Sequence, residues 1–266
     1  MSPPNPKFLA TAVEAVIRAG AIQRSKFGTE IHIDKKGAID LVTDVDLEVE
    51  RMFRALVAKR FPDHLVLAEE MGETGAASRY RWVFDPLDGT TNYAHGIPIF
   101  CATLALEIDG VPTVGAVFDP NRNELFTAER GVGAWLNGRR LQVSTTATLD
   151  NAILVTGFPY DIMDKLDDLL ALFGSFLLHA RAVRRLGSAA IDLCWTAAGR
   201  MDGFWEQGLK AWDTMAAALV VQEAGGRVTA VDGSPWQPHG GNVLASNGHI
   251  HDEMVVVIRD HIARRL

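Results

Sequence analysis

Cysteine is scarce in this sequence, which contains only two in 266 residues. Cys101 and Cys194 each stand inside an apolar run, a placement typical of reduced thiols buried in a core. The two could in principle pair, but a framework of several disulfides is excluded. Hydrophobic residues make up 48% of the chain, so we expect apolar packing to hold the fold together.

The sequence also lacks the marks of export or membrane insertion. Residues 1–7 show no basic segment leading into an apolar one, which a signal peptide would require. No apolar stretch reaches the ~20 residues that a membrane-spanning helix needs. We therefore expect a cytoplasmic protein.

Positive charge is in deficit, because 26 lysines and arginines stand against 33 aspartates and glutamates, for a formal net charge of -7 at pH 7. Binding to a phosphate backbone needs clustered lysine and arginine. We therefore expect no nucleic-acid partner. A small anionic substrate remains open if local cations screen the acidic residues.

No internal repeat, low-complexity run or long linker interrupts the chain, and this predicts a single unit over residues 1–266. Apolar residues at helical spacing predict helices over about 7–27 and after Thr43. Between 65 and 138 the pattern changes to short apolar runs separated by Asp-Gly, Asp-Pro and Asn-Gly turns. That change predicts a largely antiparallel sheet.

Strand-like and helix-like segments alternate after residue 151, which is typical of an α/β arrangement. We expect strands over 152–156, 203–206 and 227–231, and helices over about 162–173, 188–198, 212–224 and from about 252. The chain thus divides into approximate halves, an α+β half over 1–145 and an α/β half over 146–266.

The most informative segment runs from Trp82 to Tyr93 and contains the sequence Asp-Pro-Leu-Asp-Gly-Thr-Thr. An apolar strand ends at Asp85, a proline turns the backbone, and Asp88 follows three residues later. Two carboxylates held close by a turn suit Mg²⁺, which takes oxygen ligands in a tight octahedron. The same turn could present the Leu87 carbonyl as a further ligand.

The Gly-Thr-Thr that follows supplies unhindered N–H groups and hydroxyls, which would favour a phosphate if a helix begins there. A plain surface turn is the alternative. Six specified residues in seven have a chance probability on the order of 10⁻⁸ per start position under equal usage, which disfavours that alternative.

These features resemble the inositol monophosphatase family, within a wider group of lithium-sensitive, magnesium-dependent phosphomonoesterases that includes fructose bisphosphatases and 3′-phosphoadenosine nucleotidases. Three further segments carry the resemblance: Leu-Ala-Glu-Glu at 67–70, the aspartate-rich segment that begins at Asp40 and ends at Asp46, and the Trp-Asp segment with its Glu-Ala-Gly-Gly at 212–226. The resemblance covers most of the chain. Two positions depart from the family pattern, Phe84 and Met215, and both are changes of apolar packing.

The resemblance implies a mixed α/β fold, a layered αβαβα sandwich, with two or three Mg²⁺ ions where the halves meet. It implies that residues 1–145 bind metal and residues 146–266 bind substrate. It also implies a homodimer and inhibition by lithium.

The resemblance also implies the roles of individual residues. It assigns the first metal to Glu69, Asp85 and the Leu87 carbonyl, and the second metal to Asp85, Asp88 and Asp213. It assigns catalysis to Glu69, Thr90, which would bind the nucleophilic water, and Asp46, which would orient a water or a third metal. It assigns substrate binding to Asp88, Gly89, Thr90, Gly187, Ser188, Ala189, Glu206 and Asp213.

Several of these residues have structural alternatives. Asp46 could cap a helix that begins near Thr43, and Asp213 could be a helix N-terminal acid. Ser188 could likewise be a cap, and Glu206 a solvated acid at a strand end. The adjacent arginines 184 and 185 could be surface or dimer residues, and we assign them no role.

The chemistry of the residues supports a metal-dependent reaction. Five acids packed together would repel one another unless cations neutralise them. Metal ions can also acidify a water and stabilise a leaving alkoxide, which the very slow hydrolysis of phosphate monoesters requires. Together with the resemblance, this chemistry leads us to expect an inositol-1-monophosphatase-like phosphoric monoester hydrolase.

The resemblance implies that Glu206 meets the hydroxyls of the substrate, and a carboxylate suits that role because it accepts hydrogen bonds from neighbouring hydroxyls and repels a second phosphate. We therefore expect a phosphorylated polyol or sugar, inositol monophosphate first. Fructose 1,6-bisphosphate, histidinol phosphate and 3′-phosphoadenosine 5′-phosphate are the alternative substrates. A non-catalytic magnesium or calcium sensor is another class, but pure metal binding would not need the hydroxyl of Thr90.

Overall fold

The structure is a computed structural model that describes residues 5–35, 41–159 and 162–263. Asp40, the first residue of the predicted aspartate segment, lies outside the described residues. Among the residues described, no helix combines the length and the apolar character that crossing a bilayer demands.

The helices begin where the sequence supplies caps. Asn5 accepts a hydrogen bond at the start of the first helix, where proline occupies the first turn, and Thr43 and Ser188 do so for two later helices. The α-helices are α1 Pro6–Lys26, α2 Asp44–Arg60, α3 Thr90–Ala94, α4 Leu166–His179, α5 Ala189–Ala197, α6 Ala211–Glu223 and α7 His251–Ala263. Short 3₁₀ helices lie at Leu149–Asn151 and Ile162–Asp164.

The strands form three sheets. A small antiparallel pair contains β1 Ile33–Lys35 and β2 Leu41–Thr43. An eight-stranded sheet contains β3 Leu65–Ala68, β4 Gly72–Thr74, β5 Tyr80–Asp88, β6 Cys101–Ile108, β7 Val111–Asp119, β8 Glu124–Glu129, β9 Gly133–Leu136 and β10 Arg139–Arg140. A five-stranded sheet contains β11 Ile153–Thr156, β12 Ala182–Arg184, β13 Gly203–Gln207, β14 Arg227–Thr229 and β15 Asn242–Ser246.

The eight-stranded sheet has the order β10-β9-β8-β7-β6-β5-β3-β4 and is antiparallel except where β3 and β5 run parallel. The predicted, largely antiparallel sheet is therefore confirmed. The five-stranded sheet has the order β12-β11-β13-β15-β14, with β11 parallel to both of its neighbours.

Three apolar clusters separate five layers. One lies between helices α1 and α2 and the eight-stranded sheet, the second surrounds α5 and α6 between the two large sheets, and the third joins the five-stranded sheet to α4 and α7. Along β5, Trp82 and Phe84 face the first cluster and Val83 faces the second, as strand alternation requires. The expected αβαβα sandwich is confirmed.

The two positions that depart from the family pattern are both accommodated in these clusters. The ring of Phe84 packs on that of Phe53, with 4.3 Å between the ring centroids. Met215 is fully buried on α6. Neither departure disturbs the layers.

Several short elements escaped prediction. Strands β12 and β15 were missed, and the helix expected over 162–173 begins at Leu166 and extends to His179. Short apolar runs do not distinguish strand from helix by periodicity, because three to five residues span too few turns. The strand expected to reach residue 231 ends at Thr229.

We expect the contact between β7 and α6 to be sensitive to a single methyl group. A Cβ on Gly115 would lie 2.8 Å from the backbone oxygen of Ala216 and 3.2 Å from its Cα. Because backbone atoms cannot swing aside, Gly115→Ala should lower the free energy of unfolding by about 1–3 kcal/mol. Urea denaturation measures the change.

The matched control is Gly174→Ala in α4, where an added Cβ meets no atom within 4 Å. This substitution should raise the free energy of unfolding by about 0.5–1 kcal/mol, because alanine favours a helix over glycine. A Gly115→Ala protein as stable as Gly174→Ala would contradict the close packing of α6 on the sheet.

Candidate active site

A bulge in β5 brings two carboxylates to one side of the eight-stranded sheet. Asp85 pairs with Thr103 of β6, and Asp88 pairs with Cys101, so three steps along β5 match two along β6. Side chains three residues apart on a regular strand would face opposite sides. The extra residue restores the parity, so that Asp85 and Asp88 can act together.

The bulge is held by a buried glutamine from the first helix. Gln23 is fully buried, and its Nε2 donates to the Pro86 carbonyl at 2.7 Å and to the Cys101 carbonyl at 3.2 Å. Tyr93 in turn donates to the Gln23 carbonyl at 2.7 Å. Gln23 was not predicted to have a role, although its place on the buried stripe of α1, four residues after Ala19, was a signal.

Gly89 joins the bulge to the short helix α3. Its φ of +97° lies in the left-handed region, and an added Cβ would approach the Ile99 carbonyl oxygen at 2.8 Å. Only glycine fits such a position. The helix that follows begins at Thr90, whose hydroxyl donates to the Leu87 carbonyl at 2.9 Å.

Asp46 caps helix α2, as the alternative interpretation of this residue predicted. Its Oδ2 accepts hydrogen bonds from the Thr43 N–H at 2.8 Å and the Thr43 hydroxyl at 2.6 Å, which completes a capping box on α2. Its other oxygen lies 3.5 Å from the Thr90 hydroxyl. Capping therefore fixes Asp46 beside Thr90 and leaves it able to act with that hydroxyl.

Glu69 follows the end of β3, and a buried ion pair on α2 holds the turn after it. Glu50 accepts hydrogen bonds from the N–H groups of Glu70 and Met71 at 2.9 and 3.0 Å. Arg54 donates to the same Glu50 carboxylate through Nε at 2.8 Å and Nη2 at 2.7 Å. The i, i+4 spacing of the pair was the only sequence signal of this support.

The second half of the chain binds directly to Asp88. The Ser188 hydroxyl donates to Asp88 Oδ2 at 2.6 Å, and the Ala190 N–H donates to the same oxygen at 2.8 Å. Ser188 also caps α5, as its alternative interpretation holds. Cys101, a free and buried thiol, lies 3.8 Å from this oxygen.

Two other residues complete the junction of the halves. Asn92 donates to the Leu186 carbonyl at 2.8 Å and to the Ile99 carbonyl at 2.9 Å. Asp213 lies in the first turn of α6, and its Oδ2 accepts the Lys210 N–H at 2.7 Å. Asp213 is thus the helix N-terminal acid of its alternative interpretation, and it also faces the cavity between the halves.

That cavity has a volume of about 460 Å³ and gathers residues from both halves. The sequence-predicted residues on its wall are Glu69, Asp85, Leu87, Asp88, Gly89, Thr90, Gly187, Ser188, Ala189, Glu206 and Asp213. Asp46 lies behind Thr90 rather than on the wall. Arg185, Asp192 and Lys210 line the cavity as well and had no predicted role.

The carboxylates in the cavity resist ionisation. Burial raises the pKa of Asp85 well above its usual range, and repulsion from Glu69, Asp88 and Asp213 raises it further. Burial also raises the pKa of Asp88 to about 6, although the hydrogen bonds from Ser188 and Ala190 oppose the change. Burial and the charge of Asp88 likewise raise the pKa of Asp213.

Glu206, on β13, is affected in the same way. Its side chain is buried and not a solvated strand-end acid, which overturns that alternative. Burial raises its pKa to about 8, against an opposing attraction from Arg185. The cavity therefore favours cations and hydrogen-bond donors.

The donor set fits a hard divalent cation. Carboxylate oxygens and one carbonyl are the ligands that Mg²⁺ prefers, and a cation would offset the repulsion that raises these pKa values. Among the described residues no three acidic, histidine or cysteine side chains already stand together at metal-ligand spacing. The acids share the cavity without closing on a single point, as expected for like charges.

A family model, curated relatives and solved structures that are similar to this chain all point to one family. The model of the inositol monophosphatase family matches residues 5–263. An inositol-1-monophosphatase of Synechocystis is 48% identical over 250 residues, covering 93% of this chain and 87% of that protein. The Nus factor SuhB of Escherichia coli K12 is 41% identical over 262 residues, covering 97% and 98%. The solved inositol monophosphatase of Anabaena is 41% identical, with a TM-score of 0.87 and 96% of each chain covered.

The buried acids predict that the metal-free protein loses stability as the pH rises. Glu206 has a folded-state pKa of about 8 against an ordinary 4.5, so the folded state holds this proton more tightly than the unfolded state. Its contribution is complete below about pH 4.5 and is lost by about pH 8, at roughly 1.4 kcal/mol per pKa unit. Glu206→Gln should therefore be a few kcal/mol more stable than wild type at pH 8.5 and similar at pH 5.

Denaturant unfolding of metal-stripped protein at the two pH values measures this difference. The control is Glu30→Gln, which removes an exposed acid and should follow the wild-type profile. Identical pH profiles for wild type and Glu206→Gln would contradict the buried environment of Glu206.

Proposed function

Because this chain belongs to the inositol monophosphatase family and is thereby a phosphatase, we propose that it hydrolyses phosphate monoesters of small polyols, inositol monophosphate first, with Mg²⁺. The observation that carries the proposal is the convergence of carboxylates from both halves on one cavity. Glu69, Asp85 and Asp88 come from the first half, and Glu206 and Asp213 from the second.

Two or three Mg²⁺ ions would be held by these acids. Glu69, Asp85 and the Leu87 carbonyl would bind one, and Asp85, Asp88 and Asp213 a second. Bound magnesium would neutralise the acids, acidify a water and stabilise charge on the phosphate and the leaving oxygen. The hydrogen bonds from Ser188 and Ala190 fix the Asp88 oxygen in advance, which lowers the cost of assembling the site.

Thr90 and Asp46 would position the attacking water. The Thr90 hydroxyl lies between the Leu87 carbonyl at 2.9 Å and Asp46 Oδ1 at 3.5 Å. A hydroxyl can donate one hydrogen bond and accept others, so Thr90 could accept a hydrogen bond from the water while donating to either oxygen. The N–H groups of Gly89 and Thr90, at the start of α3, would face the phosphate.

The polyol would lie against the second half. Glu206 can accept hydrogen bonds from two hydroxyls, and the backbone of Gly187, Ser188 and Ala189 lines the same wall. Since the acids of this wall would repel a second phosphate, a monophosphate is favoured over fructose 1,6-bisphosphate. A phosphate-release panel of inositol 1-phosphate, fructose 1,6-bisphosphate, histidinol phosphate and 3′-phosphoadenosine 5′-phosphate tests the order.

The remaining expectations stay predictions. These are the homodimer, the cytoplasmic location, lithium sensitivity, the lack of a nucleic-acid partner and the division of labour between residues 1–145 and 146–266. The Nus factor name belongs to a relative, and no feature of this site favours that role.

Removing one ligand of the second proposed metal should weaken the binding of that metal and remove most of the turnover. Asp213→Asn keeps the shape of the side chain but weakens it as a ligand, so we expect at least a hundredfold loss of kcat at millimolar Mg²⁺. Calorimetry of Mg²⁺ binding and phosphate release measure the two effects. Asp109→Asn, at an exposed acid paired with Arg79, is the control and should change neither. Wild-type turnover in a metal-free buffer would refute the magnesium mechanism.

Removing the proposed polyol contact should change selectivity more than turnover. Glu206→Ala should lower kcat/KM for inositol 1-phosphate about ten- to a hundredfold, which is the cost of about 1.5–3 kcal/mol for a hydrogen bond to a charged group. An aryl phosphate offers no such hydroxyl, so the ratio of kcat/KM for inositol 1-phosphate to that for p-nitrophenyl phosphate should fall. An unchanged ratio would remove Glu206 from the polyol site.

A further inference from the structure

Asp192 is a buried acid without an assigned role. It lies in the first turn of α5, its side chain is 1% exposed, and its Oδ1 has no hydrogen-bond partner among the described residues. A buried polar atom without a partner is costly, and native proteins keep few of them. Because Asp192 also lines the cavity between the halves, a ligand in that cavity is a candidate for the missing partner.

The position of Asp192 relative to the phosphate end of the cavity is set by helix geometry. Ser188 and Ala190, at the start of α5, bind Asp88. Asp192 is four residues after Ser188, which corresponds to about 6 Å along a helix at 1.5 Å per residue. That distance is close to the separation of two oxygens on opposite carbons of a six-membered ring. A ligand that reaches Asp192 from the phosphate site therefore extends about as far as a cyclic alcohol.

The groups around Asp192 are complementary to hydroxyls. Glu206 projects from β13, and its carboxylate occupies the space beside Gly157, where an added Cβ would collide with it. The Arg185 guanidinium folds over Gly187, where a Cβ would lie 2.7 Å from its Nη1. Arg185 attracts both Asp192 and Glu206, whereas Asp88 and the two acids repel one another.

We propose that Asp192 is a specificity-determining residue that accepts a hydrogen bond from a ring hydroxyl of a cyclic polyol phosphate, at a subsite it forms with Glu206 and Arg185. The inference rests on the proposed function and adds to it a residue that would recognise the polyol ring. A hydroxyl both donates and accepts, so it can donate to Asp192 while accepting from the Arg185 guanidinium. Two carboxylates beside one guanidinium would repel a second phosphate, which argues against a bisphosphate site.

The test compares two substrates with the same ring and the same type of leaving alcohol. Inositol 1-phosphate carries ring hydroxyls and cyclohexyl phosphate has none. In Asp192→Asn, the ratio of kcat/KM for inositol 1-phosphate to that for cyclohexyl phosphate should fall about tenfold or more relative to wild type. Monodeoxy inositol 1-phosphates each lack one ring hydroxyl. For the one that lacks the hydroxyl bound by Asp192, kcat/KM should be the same in wild type and in Asp192→Asn.

The matched control is Thr196→Val, one turn further along α5. Thr196 is fully buried, donates to the Asp192 carbonyl at 2.9 Å and does not line the cavity. It should leave the substrate ratio unchanged, and urea denaturation of both variants separates a folding effect from a selectivity effect.

Two results would overturn the inference. One is an unchanged ratio in Asp192→Asn, whether activity falls equally with both substrates or does not fall. The other is a ratio that changes as much in Thr196→Val. Wild-type protein that hydrolyses neither inositol 1-phosphate nor cyclohexyl phosphate with Mg²⁺ would refute the proposed function itself. That result distinguishes failure of the proposed function from failure of the Asp192 inference.

Discussion

Repulsion among buried carboxylates is the main energetic cost that the other contacts of this structure must offset. Asp85, Asp88, Asp213 and Glu206 all have raised pKa values because burial and neighbouring negative charge disfavour their ionised forms. A folded chain can keep such groups together only if other contacts hold them. Those contacts come from elements on both sides of the cavity, so the acids depend on the docking of the layers.

The supporting hydrogen bonds are made by residues that are not proposed to bind metal. Gln23 of α1 satisfies the carbonyls exposed by the β5 bulge, and Glu50 of α2 holds the turn after Glu69. From the other half, Ser188 fixes one oxygen of Asp88. Each supporting group is buried, where an unmade hydrogen bond is costly. The geometry of the acids is thereby fixed by the packing of α1, α2 and α5.

Prediction from the sequence was most successful where a signal was local. The Asp-Pro-Leu-Asp-Gly-Thr-Thr segment, the caps at Thr43 and Ser188, and the long amphipathic helices each depend on residues within one turn or strand. Strands β12 and β15 were missed because three to five apolar residues carry no distinguishing period. The roles of Gln23 and Glu50 were missed because each binds backbone groups 20 or more residues away.

The sequence by itself determined the family, because its motifs of residue types at short spacing specify turns, caps and oxygen donors. The resemblance to that family then implied the layered architecture and the candidate acids. The tertiary structure alone decided which acids share a cavity and which of their oxygens are already engaged. It gave Asp46 and Asp213 a capping contact as well as a place at or behind the cavity, and it left Asp192 Oδ1 buried without a partner. The physical reason is that burial and long-range hydrogen bonds exist only after the two large sheets have packed against α5 and α6.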